Sequence, residues 1–295
     1  MDLIAGIETG GTKILARICA ADGSETIAEQ RWETGSAEEA ISDLGAFLSD
    51  LPEDGRLQAV GIAAFGPLIV DRDSPDYGCM LATPKPGWAG SNLRAALEEQ
   101  LGVPVAVDTD VNAAAVAEQR LGAGEGLPSV AYVTVGTGIG TGLAIRGHGL
   151  KGALHPEGGH LRLVRRSGDQ ALSTCPFHTD CAEGLVAGPA IRRRLGEGRG
   201  LADDPALMEL AADYLGQLAA ALVLTWSPHR IVWGGGVISG APIMSLIHKK
   251  MLGSLGGYGT GSAGEQPSFC APAALKNSGL EGALLMARNL ASPTQ

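Results

Sequence analysis

Short apolar runs broken by glycine set the rhythm of this chain. Leu3 to Glu8 is one such run; it ends in Thr9-Gly10-Gly11-Thr12-Lys13, and a second run, Ile14 to Cys19, follows at once. That order predicts strand, glycine turn, strand. Ala37 to Asp50 carries Ile41, Leu44 and Leu48 at helical spacing. Gln58 to Phe65 predicts a strand closed by Gly66-Pro67. Ser91 is a good N-cap for a helix running to Leu101. Val103 to Val107 then reads as a strand, with a helix from Asp110 to Gln119 just after it.

The opening pattern returns further on. Val130 to Val135 is apolar, Gly136 to Gly142 alternates glycine with threonine and isoleucine, and Leu143 to Ile145 is a third short run. Two units of the same logic predict two related α/β halves. Leu215 to Trp226 is alanine-rich and predicts a buried helix. Arg230 to Trp233 predicts a strand running into Gly234-Gly235-Gly236, and Leu280 to Leu290 a final apolar helix.

Composition narrows the function classes. A chain of 295 residues with 45% hydrophobic and 18% charged residues can bury a substantial core. The net charge of −10 and a pI of about 5.1 argue against a nucleic-acid partner, which needs clustered Lys and Arg. Met1 to Gly6 has no basic and apolar leader pattern, and no uncharged apolar stretch has the length of a membrane span. The five cysteines show no regular disulfide spacing. The expected compartment is therefore the reducing cytoplasm, with no membrane partner.

Gly10-Gly11-Thr12-Lys13 offers backbone N–H groups without a Cβ to block approach, a nest suited to phosphate oxygens. It lacks the Walker A spacing. Glu8 beside it could hold a Mg²⁺ shell; a plain hairpin turn with an incidental acid is the other reading. Gly136-Thr137-Gly138 carries the same chemistry and the same alternative. Gly234-Gly235-Gly236 could admit an adenosine or be only a tight turn. Asp108 and Asp110 lie at a strand-to-helix junction, where one acid could accept a hydroxyl proton and one could cap the helix. His160, Cys175, His178 and Cys181 form a Cys/His set suited to structural Zn²⁺. A Cys175–Cys181 disulfide and a ligand-free polar loop are the competing readings. Glu157 and Glu183 flank this set and would be fixed with it.

Taken together, these segments resemble the ROK family (repressors, open reading frames, kinases), and most of all its fructokinase branch. Gly6 to Lys13 is similar to the family's first phosphate motif, with Glu8 where Asp is common. Asp108 to Ala115 resembles the catalytic segment, Glu157-Gly158-Gly159-His160 the sugar-and-zinc motif, Cys175 to Gly184 the zinc loop, and Gly279 to Ala283 the closing motif. His178 replaces a thiolate of the commoner zinc loop, and Thr109 stands where many hexose kinases carry Asn. Both departures, with Thr83-Pro84-Lys85-Pro86-Gly87-Trp88, match fructokinase-like members.

The resemblance implies an actin-like ATPase (ribonuclease H-like) fold, two α/β domains around a cleft. The first domain is expected over residues 1–115, joined by a C-terminal helix near 280–291, and the second over 116–295. It implies that Asp110 is the base and that Gly66, Pro67, Thr109, Asp110, Glu157, His160 and Glu183 hold the sugar. ATP with Mg²⁺ is assigned to Glu8, Gly10, Gly11, Thr12, Lys13, Thr134, Gly136, Thr137, Gly138, Gly234, Gly235 and Gly236. Zn²⁺ is assigned to His160, Cys175, His178 and Cys181. ATP-dependent phosphorylation of D-fructose to fructose 6-phosphate is the expected reaction, with a kinase for another hexose (mannose, glucose or a rarer ketose) and a non-catalytic sugar-binding regulator as the alternatives, and a homodimer is the expected assembly.

Overall fold

The computed structural model describes residues 1–259 and 261–292. The last residues of the expected second domain, 293–295, lie outside the described residues. The chain divides into two compact units. Unit 1 comprises Met1–Ala117, Gly149–His155 and the chain from Asn277 onward; unit 2 comprises Glu118–His148 and Pro156–Lys276. The segment 149–155, counted above with the second domain, therefore groups with unit 1. Its attachment is chemical: Asn112 Nδ2 donates to the Leu150 carbonyl at 3.0 Å, and Lys151 Nζ lies 2.9 Å from Asp108 Oδ2.

Unit 1 is built on β1 (Asp2–Thr9), β2 (Lys13–Ala20), β3 (Thr26–Glu33), β4 (Arg56–Ala64) and β5 (Val105–Thr109), in the order β3-β2-β1-β4-β5. β1 pairs antiparallel with β2 and parallel with β4, which pairs parallel with β5. Helices α1 (Ala37–Ser49) and α2 (Leu93–Leu101) contribute to one core with Leu44, Leu48, Ile62 and Val107. Helix α9 (Ser278–Ala291) packs Leu284 and Ala287 with Ile4 and Ala59 in a second core. Burial on both faces is why β1 reads as an unbroken apolar run. β3 escaped the sequence reading because it is a charged edge strand with mostly exposed residues.

Unit 2 repeats the plan with β6 (Ser129–Val135), β7 (Ile139–Ile145), β8 (His148–Gly149), β9 (Arg230–Gly234) and β10 (Cys270–Pro272), in the order β10-β9-β6-β7-β8. β7 starts earlier than the run Leu143 to Ile145 suggested. Residue-by-residue pairing with β6 pulls Ile139 to Gly142 into the strand, leaving only 136–138 as the turn. Helix α3 (Asp110–Leu121) follows β5 as α9 follows β10. Helix α6 (Pro205–Trp226) is longer than expected: Asp204 caps it, accepting from the Leu207 N–H at 2.9 Å, with Pro205 in the first turn. By length and composition alone α6 could cross a membrane. It carries Glu209 and Asp213, however, and 61% of its most apolar window is buried against protein. Helices α4 (Ala182–Val186), α5 (Gly188–Leu195), α7 (Met244–Leu255) and α8 (Gly261–Glu265) complete the unit.

Candidate active site

β1, β4 and β5 run parallel, so their C-terminal ends share one edge of the unit 1 sheet, where α/β sheets bind ligands. That edge brings together the turn 10–13, Gly66-Pro67 and Thr109-Asp110. The Gly10 N–H is spent inside the turn on the Lys13 carbonyl at 2.8 Å, while Gly11 and Thr12 are exposed. The Thr34 hydroxyl donates to the Gly10 carbonyl at 2.7 Å, and Lys85 Nζ donates to the Gly11 carbonyl at 3.0 Å. Gly66-Pro67 is a cis peptide. Just beyond it, the Leu68 N–H donates at 3.1 Å to Nε2 of buried His155.

Glu8 Oε2 is buried with no hydrogen-bond partner. Burial raises the Glu8 carboxyl above its ordinary value; the Lys13 charge and the Leu280 N–H pull it part of the way back. A Cβ at Gly279 would lie 2.9 Å from the Glu8 carboxyl carbon, so only glycine lets the start of α9 come this close. An orphaned carboxylate oxygen beside a glycine turn fits the outer shell of a Mg²⁺–nucleotide.

The two acids at the β5–α3 junction have different surroundings. Asp108 is buried: Oδ1 accepts from the Thr109 N–H at 2.8 Å and from Asn112 Nδ2 at 3.1 Å, and Oδ2 pairs with Lys151. Asp110 is half-buried at the first residue of α3, and its Oδ1 accepts from the Val111 N–H at 2.9 Å. The side chain that caps α3 is neither acid but buried Thr109, whose Oγ1 accepts from the Asn112 N–H at 3.1 Å.

In unit 2 the Cys/His set converges. The ligand atoms of His160, Cys175, His178 and Cys181 all lie within 4.8 Å of one another. Cys175 Sγ is 3.7 Å from His160 Nδ1 and 3.6 Å from His178 Nδ1, and Cys181 Sγ is 3.8 Å from His160 Nδ1. Tetrahedral Zn²⁺ with bonds of about 2.0–2.3 Å holds its ligands roughly 3.3–3.8 Å apart, so the donor set fits that ion. Both cysteines are free thiols, which removes the disulfide reading. Burial pushes the Cys181 thiol up to about 11, so a strong Lewis acid is needed to hold it as thiolate.

The same ligands position the acids. Cys181 is the N-cap of α4, and Glu183 lies in the first turn of that helix. His160 aims Nδ1 at the thiols while its Nε2 lies 4.0 Å from Glu183 Oε1. Glu183 Oε2 accepts from the Ile139 N–H at 3.0 Å, tying the acid to the second glycine turn. Glu157 is solvent-exposed, yet the protein mass around its carboxyl and then the Glu183 charge raise it to about 7.

β6 and β9 run parallel and pair Thr134 with Gly234, which sets Gly136 to Gly138 beside Gly234 to Gly236. Gly235 has φ +95°, a conformation for glycine, and its absent Cβ avoids the Val135 backbone. Gly236 borders open space. A Cβ at Gly234 would run into the Tyr132 ring and hydroxyl, so Gly234 and Gly235 both have structural reasons to be glycine.

A family model described as "ROK family" matches residues 4–289. The chain belongs to the ROK family. A fructokinase from Pediococcus pentosaceus is 35% identical over 97% of this chain and 98% of its own length. Among solved structures, a ROK hexokinase from Thermus thermophilus shares 29% identity over 97% of both chains with a TM-score of 0.76. A ROK glucokinase from Streptomyces griseus, solved with glucose and AMPPNP, shares 26% identity with a TM-score of 0.75, covering 97% of this chain and 99% of that one. The fold is the actin-like ATPase fold of these ROK kinases, with two α/β domains. The sequence reading of this ROK chain missed Lys151 and His155 and took Asn112 only as part of the catalytic segment. Each acts by hydrogen bonding across distant segments, and no local spacing signals that. Lys85 was noted only as part of a motif; its place between two prolines was the available clue.

Proposed function

We propose that this hexose kinase transfers the γ-phosphoryl group of ATP to the 6-hydroxyl of D-fructose, with Asp110 as general base. The division of labour between the two acids carries this reading. Asp108 is buried and held by Asn112, Lys151 and the Thr109 N–H, away from solvent, whereas Asp110 is half-buried at the first residue of α3, on the ligand-binding edge of the sheet. Asp110 accepts the hydroxyl proton as that oxygen attacks phosphorus in line. Thr109, Glu157, His160 and Glu183, with Gly66-Pro67, orient the sugar by hydrogen bonds. The Thr109 oxygen is occupied as a cap acceptor, so its hydroxyl is left to act as a donor. The exposed amides of Gly11 and Thr12, together with Lys13, Thr134, Gly136 to Gly138 and Gly234 to Gly236, cradle the nucleotide.

Glu8 would face the outer shell of a nucleotide-bound Mg²⁺, which would neutralise phosphate charge. His160, Cys175, His178 and Cys181 would hold a structural Zn²⁺, which would fix α4 and so the direction of Glu183. Water exclusion by closure protects ATP from hydrolysis. The enzyme works in the cytoplasm as a homodimer. Identity to the Pediococcus fructokinase supports fructose. The Streptomyces griseus glucokinase supports a second reading, glucose as acceptor.

A hexose panel with ADP detection decides between them. Fructose should give the highest kcat/KM; a higher value for glucose or mannose overturns the fructose assignment, and no turnover with any hexose overturns the kinase.

A further inference from the structure

We propose that Lys85 contacts the transferred phosphoryl group of the nucleotide, a role that rests on the kinase reading above. The segment that carries Lys85 links two parts of the unit 1 edge with different expected ligands. At one end, the Leu81 N–H donates to the Pro67 carbonyl at 2.8 Å, beside the sugar-side Gly66-Pro67. At the other, Lys85 Nζ donates to the Gly11 carbonyl at 3.0 Å, in the phosphate turn. A cation stationed between acceptor and nucleotide faces the group that passes from one to the other.

The mount is rigid where it has to be. Pro84 and Pro86 bracket Lys85 and restrict the backbone on both sides. Trp88 is buried, its indole N–H donates to the Gly35 carbonyl at 2.9 Å, and its ring meets Phe65 edge-on at 4.8 Å. The Phe65 N–H donates to the Thr9 carbonyl at 3.1 Å, so the Trp88 anchor and the phosphate turn share one framework. Lys85 itself is half-buried. An ammonium has three donors. One lies on Gly11, and two remain for phosphoryl oxygens that collect charge as the bond to the leaving oxygen breaks. A lysine serves phosphate as a point charge, so an arginine at this position keeps the charge and only part of the fit.

The alternative role is a pin that shapes the turn through the Gly11 carbonyl. The two differ in which phosphate they sense. Wild type, K85M and K85R are compared for kcat on the preferred hexose, for Kd of AMPPNP and of ADP, and for Tm. A phosphoryl contact is expected to give K85M a kcat loss of about 100-fold, the usual scale for removing one charge-stabilising donor. AMPPNP should weaken about tenfold in K85M while ADP changes less than twofold, and K85R should recover most of the AMPPNP affinity. Equal weakening of AMPPNP and ADP, or no change in either, overturns the proposal. The ratio is read on folded protein, which K85R supplies should K85M melt early. If wild type phosphorylates no hexose, the kinase reading fails by itself, and the nucleotide ratio still tests Lys85.

Discussion

Gly10 and Gly136 each donate their N–H within their hairpin turns, at 2.8 Å to Lys13 three residues on and at 2.9 Å to Gly138 two residues on. The strands around them repeat as well: read from the other edge, β8-β7-β6-β9-β10 is the counterpart of β3-β2-β1-β4-β5. What differs is how each half holds its acids. In unit 1, Asp108 is locked by an amide, an asparagine and a lysine, and Asp110 is set by the first turn of α3. In unit 2, Glu183 rides on a helix whose cap is a candidate metal ligand, and it braces the glycine turn through Ile139. One half fixes its acid with covalent geometry and hydrogen bonds, the other through a loop whose Cys/His set could hold a metal. Damage to the first should appear in chemistry and damage to the second in binding.

Asp110→Asn makes the sharpest break. It should lower kcat by about 10³-fold, within the range for loss of a general base, while hexose Kd stays within a few-fold. Rapid-quench turnover with calorimetric binding checks it, and near-normal kcat would remove Asp110 from the chemistry. Metal removal comes next. Stripping with a strong chelator should raise hexose KM by about 10- to 100-fold, as loss of support for a site commonly does, and leave kcat at saturating sugar less affected. Elemental analysis should find one zinc per active chain. Active protein without zinc would show that the loop 175–181 needs no ion, and the contrast between the halves would vanish.

These two tests address residues that local chemistry made legible. The Cys175 to Cys181 spacing reads directly because three of the four candidate ligands, Cys175, His178 and Cys181, fall within seven residues. The buried strands read directly because two covered faces leave no room for polar residues. β3 was illegible because an edge strand must carry charge, and its Glu29 and Glu33 erase the apolar signal. The cap at α3 was misassigned between two acids because Thr109 is itself a good capping residue, and only the 3.1 Å bond to Asn112 distinguishes them. The grouping of 149–155 with unit 1 rests on Asn112 and Lys151, contacts that sequence distance hides.

A gentler test uses Glu157, whose carboxyl is raised to about 7. Below that pH it is protonated and loses the charge that strengthens a hydrogen bond from a sugar hydroxyl. Hexose KM should therefore rise as pH falls from 8 to 6, approaching about tenfold per pH unit at the acid end. Glu157→Gln should flatten the profile. A wild-type KM that is flat over this range would mean that the sugar does not depend on this carboxylate.

The smallest effect concerns Glu8 and bears on whether unit 1 carries strain that its counterpart lacks. Its carboxyl is raised by burial, with Oε2 unpartnered, so the folded protein holds this proton more tightly than the unfolded chain does. The sign follows. Above the folded pKa the ionised group is a net cost to folding, and the cost is relieved as pH falls through that value. Glu8→Gln keeps an oxygen for the Leu280 N–H and removes the titration. The Tm of the variant, measured without nucleotide, should exceed that of wild type at pH 8, and the gap should close as the solution is acidified. Its turnover should fall even as its Tm rises, because the oxygen that costs stability is the one available to the Mg²⁺ shell. A Tm gap independent of pH would mean that the Glu8 carboxyl is already relieved within the folded protein, and the two glycine turns would then differ in shape alone.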